Sequence, residues 1–290
     1  MGDVLQSLEA IRRALDLGGN VQAFVVENVQ LVLEALRAFV LRTGNPSAPS
    51  TPFTAVGPIR SLTPLVQVAA DSALTAVITY AGFRMMWSRT TTRSQFVLRV
   101  LFPRLLLAAV LINFAVPLVQ AAVDASNALS DTVVMATGQQ LLMDAGQFGA
   151  TARIGGLGLE SVTLILLFAA YAVLAFAYIV RFALLVVLTI LAPAAALLFV
   201  LPETHRYARE WGGLFVSALL MQPLQLLVLA VGFALDGYSI LPIRHLFALA
   251  ALWMTFKVPG ALHTSTLAGS RASSLAKRHL THAIRAVARA

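Results

Sequence analysis

The chain of 290 residues contains no cysteine, so neither a disulfide framework nor a thiolate metal site is open to it. Charge is scarce: Asp, Glu, Lys and Arg make up 12% of the residues, where a soluble domain carries about 25%. Histidine occurs only at positions 205, 245, 263, 279 and 282, and no two of these form an HExxH pair. There is no P-loop, no GxSxG and no glycine-rich dinucleotide turn. Gly155-Gly156-Leu157-Gly158 is too short and misplaced for phosphate binding and reads as loop. The first residues lack the basic stretch, apolar core and small-residue cleavage site of a removable leader. The expectation is a protein that is not an enzyme, holds no cofactor or metal, and inserts through internal spans.

What is present is hydrocarbon: 59% of the residues are hydrophobic and the mean hydropathy is +0.82. The longest run, Ser161–Leu201, holds a single ionisable group, Arg181. Eighteen or more nearly uncharged apolar residues mark a membrane span, and about 20 suffice to cross. The fold class is therefore all-α, a polytopic helical membrane protein with about five transmembrane helices and an amphipathic helical N-terminal arm. The spans are placed at about 65–87, 96–123, 161–201, 212–235 and 245–262. No Gly, Asn or Pro near Arg181 offers a hairpin, so 161–201 is read as one crossing with excess length kinked at Pro193. Arg181 would then face protein or water, because a charge against lipid is costly.

Outside the spans, residues 1–42 form the arm. Val4, Leu8, Ile11 and Leu15 make one helical stripe, and a second helix, about 21–41, carries Glu27, Glu34 and Arg37. Those charges make it a poor span. It lies on the membrane or against partner subunits, or folds onto the chain's own domain. Residues 43–64 hold five prolines and read as an extended linker. Residues 124–160 are polar and mainly acidic, an extracytoplasmic loop with helical pieces around 125–144, and 263–290 form a basic cytoplasmic tail.

The net charge of +8 is uneven. Arg84, Arg89, Arg93, Arg99 and Arg104 stand together without an acid, and so do Arg271, Lys277, Arg278, Arg285 and Arg289. Basic groups at span ends mark the cytoplasmic side, which puts the N-terminus outside and the C-terminus inside. Arg84, Arg89, Arg93, Arg271, Lys277 and Arg278 are also candidate contacts to cytoplasmic proteins or DNA phosphate; setting topology alone is the simpler and favoured explanation of them.

The second half carries a resemblance. An apolar helix ends in Ala192-Pro193, followed by Pro202-x-Thr204, by Trp211 opening the next helix, and by Gln222-Pro223-x-Gln225. A final span leads into Lys257-x-Pro259. Over roughly residues 160–262 this resembles the TrbL-type polytopic inner-membrane subunits of conjugative type IV secretion systems. The resemblance implies a channel or scaffold component of the bacterial inner membrane that hydrolyses nothing. Its partners would be membrane lipid, copies of itself, cytoplasmic ATPases, pilus or stalk proteins, and a passing DNA or protein substrate. The other readings are a holin-like pore or small-solute transporter subunit, and a scaffold without conduction.

Overall fold

A computed structural model describes residues 17–40, 42–48, 50–87, 102–136, 159–200, 204–238, 249–258 and 260. Among the described residues every regular element is helical. They are α1 (Leu17–Val40), a 3-10 turn (Phe53–Ala55), α2 (Gly57–Trp87), α3 (Phe102–Asn113), α4 (Ala115–Ala136), α5 (Leu159–Ile190), α6 (Ala192–Val200) and α7 (His205–Tyr238). A shorter apolar helix, α8 (Leu249–Val258), follows. Three stretches, Gly57–Tyr80, Ile165–Ile190 and His205–Gly232, are long and apolar enough to cross a membrane. The bent pair α3–α4 makes a fourth if it is one span. The protein is an all-helical, polytopic membrane protein.

Prolines set the breaks. A proline has no N–H to give the carbonyl four residues earlier, so Pro117 leaves Asn113 without its helical donor. The chain bends there by 67°. Regular bonding resumes at once, from Phe114 N–H to the Val110 carbonyl and from Leu118 N–H to the Phe114 carbonyl. Pro193 does the same to Thr189 and separates α5 from α6 at Leu191. α5 passes Arg181 without interruption.

The chain divides into two compact units, one of Met1–Arg42, Leu129–Val180 and Pro223–Phe256, the other of Thr43–Ala128, Arg181–Gln222 and Lys257–Ala290. In the first, Val29, Leu33, Leu36 and Val40 of α1 pack with Leu167, Tyr171, Leu174 and Tyr178 of α5, Leu226 and Leu229 of α7, and Leu252 of α8. The spacing i, i+4, i+7, i+11 makes those α1 residues one stripe, while Glu27 and Glu34 stay exposed. Of the arrangements open to this part of the arm, the structure shows packing on the chain's own helices. The stripe over residues 4–15 lies outside the described residues.

The second unit has two apolar cores. Phe53, Ile59, Val119, Val123, Leu185, Leu188, Phe215 and Leu219 form one. Ala70 and Leu74 of α2, Leu105, Ala108 and Ile112 of α3, and the α6 residues Ala196 and Leu197 form the other. α2 begins at Gly57, eight residues before the span start read at Leu65. Pro58 falls in its first turn, where no backbone donor is needed. Asp71 therefore stands near the middle of the apolar stretch Gly57–Tyr80 rather than at its end.

Candidate functional site

The second unit contains a buried polar cluster around Arg181. Its guanidinium is 4% exposed although it sits mid-helix in the most apolar stretch of the chain. Nε donates to the Ala218 carbonyl at 2.7 Å, and Nη1 donates to the Thr43 hydroxyl at 3.2 Å. That hydroxyl in turn donates to Oε1 of Gln222, which is fully buried. Asn127 of α4 completes the cluster: Oδ1 accepts from Thr43 N–H and Nδ2 donates to Thr43 C=O, both at 2.9 Å. The two Arg181 bonds run from a charged donor to neutral oxygens, each worth about 1.5–3 kcal/mol. They let a cation lie inside a hydrocarbon-rich fold without touching lipid.

Pro223 explains why α7 can serve the cluster. Inside the helix it cannot donate to the Leu219 carbonyl, and Ser126 Oγ supplies the missing bond at 2.9 Å. The neighbouring Ala218 carbonyl is the one that Arg181 reaches. Gln222-Pro223 is thus one device: the proline leaves the Leu219 carbonyl to a side chain, and the glutamine presents a further acceptor beside the Ala218 carbonyl.

The cluster also fastens the proline-rich segment. Thr43 is held by Asn127, and seven residues earlier on the same face of α4 Gln120 Oε1 accepts from both Thr54 N–H and Thr54 Oγ1 at 3.0 Å. Between these clips, turns close at Asn45–Ala48 and Ala48–Thr51. Phe53 is 1% exposed and stands edge-on to Phe182, ring centroids 5.7 Å apart. The segment expected to be an extended linker is, over 43–55, a strap laid along α4. Its signal in the sequence was weak: single threonines, whose partners lie 66 and 84 residues away.

The remaining expected residues fall in separate places. Pro193 is buried at the start of α6. Trp211 is half-buried, donates to the Leu188 carbonyl at 3.2 Å beside the Pro193 break, and stacks on Phe215 at 5.4 Å. These two aromatics with Leu118, Ala192, Ala195 and Phe199 line an apolar cavity of about 280 Å³. Gln225, in the first unit, is fully buried and donates to the Thr255 carbonyl at 3.1 Å. Lys257 is exposed near the end of α8. Arg84 lies in the last turn of α2. Pro202, Pro259, Arg89, Arg93, Arg271, Lys277 and Arg278 lie outside the described residues. The structure therefore brings together Arg181 and Gln222, with Pro223 next in the chain. It adds Thr43, Ser126 and Asn127, which the sequence reading did not single out.

The family described as TrbL/VirB6 plasmid conjugal transfer-like proteins matches residues 8–290. The chain belongs to that family. The match takes in the N-terminal arm and strap as well as the stretch 160–262 on which the resemblance was read. No curated protein and no solved structure matches the chain.

Proposed function

We propose that this TrbL/VirB6-family chain is an inner-membrane channel or scaffold component of a conjugation-like type IV secretion apparatus. In this reading it supports passage of a DNA or protein substrate and assembly of the pilus or stalk, and performs no hydrolysis itself. The observation that carries the reading is the family match across nearly the whole chain, on a protein with three or four helices able to cross a membrane. Several copies assemble together, alongside cytoplasmic ATPases and pilus or stalk proteins. The N-terminus lies outside and the basic tail in the cytoplasm, supported by the arginine clusters at 84–104 and 271–289.

In this role the Arg181 cluster holds the strap that leads into α2. Deleting the gene for this chain in a donor cell, with complementation in trans, tests the proposal. Transfer of plasmid or effector should fall to background and return with the wild-type chain, while the apparatus ATPases stay at normal levels. Undiminished transfer in the deletion strain contradicts it.

A further inference from the structure

The apolar cavity of the second unit is built by small side chains. Ala115, Ala192, Ala195, Ala196, Ala208 and Gly212 all line it, and residues of that size let helices close up on each other. Here both walls are broken instead: α3 and α4 meet at a 67° bend beside Ala115, and α5 gives way to α6 beside Ala192. A Cβ built on Gly212 meets nothing within 4 Å. The space amounts to about 280 Å³. A single turn of helix, about 10 Å across and 5.4 Å high, needs more than that, about 400 Å³.

What fits this space is hydrocarbon. Among the described residues that line it, none carries a carboxylate, amide or hydroxyl side chain. The one polar hydrogen, on Trp211 Nε1, is donated to the Leu188 carbonyl. Water finds no partners in such a place, and unfilled volume in a packed interior is destabilising. The cavity reaches the outer surface at Leu118 and Phe199, 52% and 38% exposed, close to Phe114 at 57%. On a polytopic membrane protein, an apolar surface of this kind meets acyl chains.

One end of the cavity is positive. Phe199 touches the His205 ring, centroids 4.7 Å apart, so the first turn of α7 closes that end. A helix start carries unpaired N–H groups and partial positive charge, and no acid stands in this first turn. One turn in, Arg209 is exposed, whereas Arg206 is engaged with Glu210. Tyr207 and Trp211 beside them are the aromatic types of the headgroup level. We propose that the cavity takes part of an acyl chain of an anionic phospholipid from the surrounding membrane. The phosphate is held beside the first turn of α7 by Arg209.

The test reads Trp211 fluorescence in the full chain, purified in detergent, with Trp87→Phe and Trp253→Phe leaving it as the single indole. The probe is phosphatidylglycerol brominated along its acyl chain, which quenches an indole it touches. The expected result is saturable quenching. Unlabelled phosphatidylglycerol should reverse it at about fivefold lower concentration than phosphatidylcholine, the worth of one arginine beside a net negative headgroup. Gly212→Leu should abolish the quenching, because its side chain grows into the cavity while the change favours helix; Ala196→Leu, on another wall, should do the same. Arg209→Gln should keep the quenching and lose the preference between the two lipids. Quenching that survives both leucines comes from lipid on the outer surface and overturns the proposal. Equal competition by the two lipids overturns the anionic headgroup. No quenching at all leaves the cavity to a side chain of a partner protein or a second copy, and overturns the proposal as well.

Discussion

α7 and α2 each carry polar side chains through a stretch long enough to cross a membrane, and they treat them in opposite ways. In α7 the polar groups point inward: Gln222 and Gln225 are fully buried, one accepting from Thr43 and the other donating to the Thr255 carbonyl. In α2 Ser61, Ser72, Thr75 and Thr79 are exposed and each bonds back to its own helix, while Thr63 is buried. Amides thus serve cohesion in one helix, and hydroxyls lie on the outward surface of the other. The prolines differ as well: Pro223 opens the α7 backbone to a partner from α4, whereas Pro58 and Pro64 of α2 sit near its start and leave the middle of the helix regular.

The largest effect is expected on the inward side. Asn127→Leu removes both bonds to the Thr43 backbone and strands a buried N–H and C=O, so stability should drop by about 2–4 kcal/mol. The measurement is the apparent Tm of the detergent-solubilised protein. Arg181→Met keeps much of the volume and removes the charge, and Thr43 still bonds Gln222 and Asn127. The loss should be smaller, about 1–3 kcal/mol, since apolar replacement of a buried ion offsets part of the lost bonding.

Ser126→Ala should lose about 1–2 kcal/mol by stranding the Leu219 carbonyl. That loss should shrink when Pro223→Ala restores a backbone N–H for the same carbonyl. A double-mutant cycle reads the coupling directly, and strict additivity would show that the proline does not create the demand Ser126 meets. Smallest of all is Arg206→Ala. The Arg206–Glu210 pair, 2.8 Å apart on an exposed helical turn, is screened by water and should show at most a slight shift in Tm at low salt.

Much of this architecture was legible in the residues. Hydropathy found the helical membrane class and the stretches that became α2, α5 and α7. The scarcity of charge singled out Arg181, whose position mid-run demanded protein around it. The Gln222-Pro223 pair was visible as a motif, but its purpose was not, because the hydroxyl that answers Pro223 comes from Ser126, 93 positions from Leu219 in the chain. The strap was misread for a related reason: five prolines argue for an extended chain, and nothing local says that Asn127 and Gln120 will clip it down. The polar run from Asp124 was read as an extracytoplasmic loop with helical pieces around 125–144, and α4 continues into it without a break to Ala136. There Gln120 Nε2 donates to Asp124 at 2.8 Å one turn on, and Ser126 and Asn127 find partners across the fold. Long-range partners make polar residues compatible with a helix whose local pattern argues for its end.

The most direct test of the contrast between the two helices pairs Gln222→Leu with the double substitution Thr75→Val and Thr79→Val, reading the Tm of the solubilised chain. The account predicts that Gln222→Leu lowers stability by about 1–2 kcal/mol. The α2 double variant should stay within about 0.5 kcal/mol of wild type. If the valines destabilise the chain as much as the leucine does, the α2 hydroxyls also serve cohesion, and the division between an inward α7 and an outward α2 fails.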